Sequence, residues 1–313
     1  MNKLIVMVGP AASGKSTYAR KYANTYDGEI ISSDAIRKEL WGDESDQRNP
    51  QTVFNHMYER TLAVLLNGKT AIYDATNLSS KRRVALLRRL RQDLGKNRTL
   101  TAEAAICVEP IEVILERNRN RSRFVPEDVI MKQIKSFSCP YYNEGFDHIV
   151  LHTNSTNMEC SDYILDTINS LLVNPHDNPH HPNTIGEHCI AVSDLAMQYV
   201  KQYGNHDSHY AYLAGRAGLL HDIGKGYCKT YDSEGIAHYY GHDGVSAYIS
   251  LLANMTLFSL QEILLIAWTI SNHMRYYSYQ SKEQFQDWLH GLPSEQESLL
   301  HILMLADSAD ALP

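Results

Sequence analysis

Two short runs in this sequence carry residue types that handle phosphate, and they lie far apart. Residues 9–16 read GPAASGKS, and His221-Asp222 sit inside LLHDIGK. The first run has the spacing of a phosphate-binding loop. Gly9 and Gly14 permit turns that a side chain would block, and they let successive N–H groups point at phosphate oxygens from a helix N-terminus. Ala12, Ser13 and Thr17 complete the ATP-binding stretch. Lys15 reaches the β- and γ-phosphates, and the Ser16 hydroxyl ligates Mg2+. The second run sets an imidazole beside a carboxylate at the end of an apolar helix, a mixed nitrogen–oxygen donor pair. One chemistry adds phosphate and the other most naturally removes it.

Three further runs in the first half extend the kinase reading. SSDAIRKEL places Asp34 and Arg37 after a strand, at the sheet edge where ligands bind in doubly wound folds. A carboxylate there accepts a proton from an attacking hydroxyl; capping of the following helix is the plainer role for Asp34. AIYDATNLSSKRR ends an apolar strand on Asp74, which holds Mg2+ through water or helps bind acceptor phosphate, with Thr76 and Asn77 beside it. In LERNRNRSRFVPEDVI, Arg117 and Arg121 are four apart and share a face if helical, with Arg119 and Arg123 on a neighbouring one. Arginines just before Val125-Pro126 suit a lid that clamps ATP phosphates and transition-state charge. For Arg119 and Arg123 a solvated helix face is an equal alternative. Arg82, Arg83, Arg88, Arg89 and Arg91 form either a basic face for a nucleic-acid strand or a solvated one.

In the second half, His188 (GEHCIAVSDLA) and Asp307 (LHILMLADSADA) join His221 and Asp222 as expected metal ligands. This donor set suits Mn, Fe, Co, Ni or Zn better than Ca. Such an ion acidifies water and polarises a phosphoryl oxygen, and Lys225 is placed to contact the scissile phosphate.

Periodicity supplies the elements that must position these residues. Lys3–Val8, Glu29–Ile31, Thr70–Tyr73, Leu100–Val108 and His148–Leu151 read as strands. Helical stretches run near Ser33–Trp41, Pro50–Leu66, Ser79–Leu94, Pro110–Asn118 and Pro126–Phe137, with Cys160–Val173 as a closing helix. This alternation predicts an α/β domain over 1–173, a parallel sheet with helices on both faces. NPHDNPHHPN, residues 174–183, reads as a linker; its histidines could bind metal, but its prolines favour a spacer. Beyond it Ile185–Tyr203, Ser208–Leu220, Gly244–Met255, Ser259–His273 and Gln296–Leu305 read as helices, predicting an all-α domain over 184–313.

Charge follows the same division. Residues 1–173 carry 23 Lys and Arg against 21 Asp and Glu; residues 174–313 carry 6 against 15, with 12 of the 15 histidines. An acidic, His-rich half fits cations, and the net charge of -7 means that any polynucleotide contact must rest on a local patch. Five cysteines without a CxxC pair imply reduced thiols and a cytoplasmic protein. No apolar run is long enough for a membrane span, and the short apolar N-terminus reads as a first buried strand, not a signal peptide.

GPAASGKST, SSDAIR, DATNLSSKRR and RNRNR…VP, in this order, make residues 1–173 resemble the phage-type polynucleotide 5′-kinase family. The resemblance implies Asp34 as general base, Arg37 on the phosphate 3′ of the attacked nucleotide, and Lys15, Arg117 and Arg121 on ATP. Thr76, Asn77, Asp74 and Arg83 would serve the polynucleotide. From Ile185 to Ala311 the chain resembles the HD phosphohydrolase superfamily. GHDGVSA and NHM are similar to the HD domain of bacterial CCA-adding tRNA nucleotidyltransferases, which implies action on 2′,3′-cyclic phosphates or 2′-phosphates. By that resemblance His242 (YYGHDGVSAY) and His273 (ISNHMRYY) either bind a second metal or hold substrate phosphate. The six residues after Asp307 are short for a closing helix.

The joint expectation is a bifunctional enzyme that heals RNA or DNA ends with ATP, Mg2+ and a divalent transition metal, its products passing to a separate ligase. Two alternatives stay open: a small-molecule or nucleoside kinase joined to a nucleotide phosphohydrolase, and an ATP-gated nucleotide-sensing regulator.

Overall fold

The computed structural model describes residues 2–177, 183–203 and 207–310. Contacts divide the chain into two compact units, Met1–Gln133 with Pro140–Asn154, and Ile134–Cys139 with Ser155–Pro313.

The first unit is built on a five-stranded sheet of order β2-β3-β1-β4-β5: β1 (Asn2–Val8), β2 (Glu29–Ser32), β3 (Ala71–Asp74), β4 (Leu100–Cys107) and β5 (His148–His152). All pairs are parallel. Leu4–Val8 are fully buried, as expected for a parallel strand covered on both faces. Helices α1 (Lys15–Tyr26), α2 (Ser33–Trp41), α3 (Pro50–Leu66), α4 (Ser80–Leu94), α5 (Ile111–Arg119) and α6 (Glu127–Lys135) lie between the strands in sequence. The chain leaves β1 for one side of the sheet and later returns to the other, so β1 is the switch point where a doubly wound sheet opens a crevice. Register aligns Met7 and Ser32 with Asp74. The phosphate loop, the start of α2 and the end of β3 therefore share one carboxyl edge.

Helix α4 corrects one expectation. Its buried positions are Arg83, Leu87, Leu90 and Leu94, a spacing that forms one face of a helix. Arg83 falls on that face, 1% exposed. Its Nε and Nη2 donate to the Glu144 carboxylate at 2.7 and 2.6 Å, and Nη1 donates to the Asn77 carbonyl. Arg83 is thus inside the core and does not face a polynucleotide. Arg82, Arg88, Arg89 and Arg91 are exposed. Arg83→Met is expected to destabilise the domain by about 3–5 kcal/mol in urea unfolding, because it strands the Glu144 charge. Adding Glu144→Leu should recover most of that loss.

The second unit is helical: α7 (Asn157–Leu172), α8 (Ile185–Tyr203), α9 (Ser208–Leu220), α10 (Lys225–Cys228), then after a two-stranded ribbon α11 (His242–Ala253), α12 (Leu260–Asn272), α13 (Lys282–His290) and α14 (Ser294–Asp310). The ribbon, β6 (Thr230–Tyr231) against β7 (Ala237–His238), is an antiparallel element that the all-α expectation lacks. Helix α7 groups with this unit although the sequence boundary was drawn after it, because its apolar face (Cys160, Ile164, Leu171) is buried here. Gly218 lets α8 and α9 approach closely: a Cβ there would lie 2.9 Å from the Ser193 backbone. That contact brings the end of α9 against the start of α8.

The segment expected to be a spacer is partly built into the helical unit. Pro175 bridges to Thr184, the Ala237 N–H donates to Asp177 O, and Lys229 Nζ donates to Asn174 and pairs with Asp177 at 2.9 Å each. Over its described residues, side chains and backbone polar groups fasten it to the helical unit. His180 and His181 lie outside the described residues. Among the described residues no helix is long and apolar enough to cross a membrane, and all five cysteines are buried free thiols.

Candidate functional site

In the phosphate loop, Gly9, Ala12 and Gly14 have φ of 152°, 63° and 90°. At Gly9 a Cβ would fall 2.5 Å from Cys107 O, so only glycine fits both the turn and the approach. Lys15 Nζ donates to Pro10 O at 2.6 Å. Its burial lowers the pKa, with Asp74 opposing and the charge of Arg121 adding to the effect. Ser16 Oγ donates to Asp74 Oδ2 at 3.1 Å, and burial raises the Asp74 pKa against Lys15 and Ser16. A hydroxyl and a carboxylate side by side at the loop are the hard oxygen pair that Mg2+ takes. Ser13 Oγ is buried without a partner.

Asp34 lies in the first turn of α2, whose cap is Ser32. The capping alternative for Asp34 is therefore taken by another residue. Its Oδ1 accepts from Arg37 Nη1 at 2.7 Å and its Oδ2 from Arg123. Arg37 is buried, and its Nε has no partner.

In the helical unit, four imidazoles surround one carboxylate. His221, His242 and His273 direct Nδ1 at the carbonyls of Gly218, Tyr239 and Ile270 at 2.7, 2.8 and 2.7 Å. His188 directs Nδ1 at Asp310 Oδ2 at 2.7 Å. Each Nδ1 is then the donor, and each Nε2 offers a lone pair inward. His188 and His221 Nε2 are 3.3 Å apart, and His242 and His273 Nε2 3.2 Å. Asp222 lies between the pairs. Its Oδ2 is 3.5 and 3.3 Å from His188 and His221, and its Oδ1 is 3.1 and 3.7 Å from His242 and His273. Asp307 Oδ1 stands 3.2 Å from His188 Nε2 and 3.5 Å from His221 Nε2.

The buried Asp222 Oδ1 receives no hydrogen bond. Asp222 Oδ2 takes the Lys225 ammonium at 2.5 Å, but acceptors converging around an unpartnered Oδ1 are what a cation site requires, so the residues fit a divalent metal. They form two groups, His188 with His221 and Asp222, and Asp222 with His242 and His273, that share the aspartate. Burial disfavours charge on His221, yet Asp222 and Asp307 raise its pKa well above the ordinary value. Burial also opposes the Asp222 carboxylate, but His221 and Lys225 hold it well below the usual range. The cluster thus attracts positive charge, and a metal that binds must displace the proton.

Residues 185–312 match the HD domain family, and residues 4–140 match a family described as an AAA domain. The chain joins a P-loop kinase-type domain to an HD domain. Among curated proteins none matches. Similar solved structures include the Pnkp1/Rnl/Hen1 RNA repair complex (24% identity, 43% of each chain covered, TM-score 0.36). A gluconokinase from Sinorhizobium meliloti has 19% identity, covering 50% of this chain and 84% of that one, TM-score 0.35. A shikimate kinase from Acinetobacter baumannii in complex with shikimate has 20%, covering 55% and 95%, TM-score 0.32. The chain spans less than half the length of the RNA repair chain it resembles.

Within the P-loop domain the arginine run is not one helical face. Helix α5 ends at Arg119, because the buried Asn118 side chain donates to Val125 O at 2.7 Å and accepts from Val125 N at 3.0 Å, closing the loop before Pro126. Arg121 and Arg123 therefore leave the helix. Arg117 pairs with the buried Glu109 at 2.9 Å, Arg119 with Glu127, and Arg123 with Asp34. Arg123, left open as a solvated residue, is beside Asp34; the helical spacing that grouped it with Arg119 does not hold beyond α5. Asn77 has a structural tie of its own. In left-handed backbone (φ 47°), it donates from Nδ2 to Met7 O at 2.7 Å and so ties β3 to β1. Thr76 contributes its carbonyl to Gly9 N.

Within the HD domain, Asp310 is the residue that sequence reasoning missed most directly. It lies three positions after Asp307 on α14 and orients His188 through Nδ1. Such outer carboxylates fix the tautomer and raise ligand basicity. Asp310→Ala is expected to weaken Mn2+ or Zn2+ binding by about 10- to 100-fold in a direct metal titration, with the fold retained.

Proposed function

We propose that this chain is a bifunctional end-healing enzyme. Its P-loop domain phosphorylates the 5′-hydroxyl of a polynucleotide with ATP, and its HD domain removes a 2′,3′-cyclic phosphate or terminal phosphate. Many nucleases leave these two ends together on RNA. The observation that carries a polynucleotide acceptor is Arg37. A buried guanidinium Nε without a partner, beside the candidate base, calls for an anion next to the hydroxyl that reacts. An oligonucleotide has that phosphate, and a free nucleoside has none.

In the kinase reaction the Asp34 carboxylate takes the proton as the 5′-oxygen attacks the γ-phosphorus and ADP leaves. Two arginines occupy part of its acceptor capacity and leave lone pairs for the hydroxyl. Lys15, Arg117 and Arg121 carry the charge of the ATP phosphates, with Arg123 beside the base. Ser16 and Asp74 would hold Mg2+, which would supply charge to the ATP phosphates. The Ser16 to Asp74 hydrogen bond supports the metal role for Asp74 over the acceptor-phosphate role.

In the HD domain His188, His221, Asp222 and Asp307 would hold one divalent ion and Asp222, His242 and His273 a second. A divalent ion there supplies Lewis acidity to a phosphoryl oxygen and acidity to water. Lys225 Nζ, 2.5 Å from Asp222 Oδ2, is the nearby cation for the phosphate.

RNA with 5′-hydroxyl and 2′,3′-cyclic phosphate ends, incubated with and without ATP, tests the reading. Gain of a 5′-phosphate only with ATP, and loss of the cyclic phosphate without it, are expected. Faster phosphorylation of free nucleosides or sugars than of oligonucleotides would overturn the polynucleotide assignment.

A further inference from the structure

His176 lies in the segment read from sequence as a spacer, yet it is 1% exposed. Its ring stands edge-on to His188, with centroids 5.6 Å apart. Nδ1 lies 2.9 Å from the Asn183 carbonyl, which can only accept. The ring proton is therefore on Nδ1, and Nε2 is an acceptor. That acceptor is 3.3 Å from Lys225 Nζ, itself buried. Lys225 also faces the Tyr239 ring, 5.3 Å from its centroid, and the Tyr239 hydroxyl donates to the His176 carbonyl.

We propose that His176 is a positioning residue of the HD site: its Nε2, with the Tyr239 ring, holds the Lys225 ammonium where it receives the substrate phosphate. The inference rests on the phosphohydrolase reading of that site. A lysine has a long flexible stem and rotatable donors. Between Asp222 on one side and His176 on another, its ammonium has one location. The strap of residues 174–177 is thereby part of the active site. Lys229 and the Tyr239 hydroxyl hold the strap, and His176 is its contact with Lys225.

A double-mutant cycle tests this on the full chain, with inorganic phosphate as the probe and Mn2+ present. Lys15→Ala is included throughout so that the P-loop is not the phosphate site read. His176→Ala is expected to weaken phosphate binding by about 10- to 100-fold, the range for a hydrogen bond to a charged group. His176→Gln, whose amide oxygen replaces the Nε2 acceptor, should recover most of it. In a Lys225→Ala background, His176→Ala should cost nothing further, because the two act as a unit. Metal content should be unchanged in all variants. An equal loss with Lys225 absent overturns the proposal, since His176 then acts on phosphate or on the fold directly. A fall in bound metal also overturns it, as does unaltered phosphate affinity in His176→Ala. Should the cycle hold while the wild-type chain hydrolyses no cyclic or terminal phosphate, the positioning role stands and the hydrolase reading fails.

Discussion

Asp222→Ala is expected to abolish phosphohydrolysis and to strip bound metal, while kinase turnover stays near wild type. Asp222 belongs to both candidate ligand groups, one through each carboxylate oxygen, so its loss empties both. Metal catalysis supplies several kcal/mol of transition-state stabilisation, on the order of 10³-fold in rate or more. The sharing separates it from its neighbours. His242→Ala or His273→Ala should reduce metal content by about half if two ions bind, because each serves one group only. Metal analysis together with cyclic-phosphate hydrolysis and 5′-phosphorylation assays checks all three variants. Retention of full metal content in Asp222→Ala would contradict the shared-ligand geometry. Parallel loss of kinase activity would indicate a folding defect.

The second large effect is at the other site. Asp34→Asn should lower 5′-kinase kcat by roughly 10²–10⁴, the usual cost of removing a general base, with ATP affinity nearly unchanged. Asparagine keeps the shape, but its single amide oxygen can accept from only one of Arg37 and Arg123, its NH2 faces the other as a donor, and it cannot take a proton. It also relieves the two guanidinium groups of their counter-charge. The KM for a 5′-hydroxyl oligonucleotide should therefore hold or fall while kcat drops, and steady-state kinetics with trace-labelled substrate reads that split. Near-normal turnover would make Asp34 a scaffold for the two arginines and nothing more.

Local patterns made much of this legible beforehand. The inner strands were visible because a parallel strand buried on both faces must be a continuous apolar run, as Leu4–Val8 are, while the edge strands β2 and β5 showed only as short apolar stretches between helical patterns. Lys15 and Ser16 were visible because phosphate binding at a helix N-terminus requires glycine spacing within eight residues. His188 on α8 and His221-Asp222 stood out because polar residues set against apolar helices are rare without a task. For the same reason Asp307 was found from the apolar stretch around it. His242 at the start of α11 and His273 just after α12 came from the resemblance of GHDGVSA and NHM.

Other residues took their role from partners distant in the chain. Arg83 reads as one of five arginines on α4, and only Glu144 and its place in line with Leu87, Leu90 and Leu94 make it a core residue. Arg123 acquires its place from Asp34, 89 residues earlier, after Asn118 breaks the helical register that sequence spacing assumes. His176 looks like part of a proline-rich spacer until Lys225, 49 residues on, is brought to its ring. Sequence by itself determined the phosphate-loop and HD site types of this chain, because glycine turns, helix ends and donor types are local properties. Tertiary structure alone decided which charges face each other and which are neutralised. Those choices depend on Coulomb and hydrogen-bond distances of about 3 Å between elements that no periodicity relates.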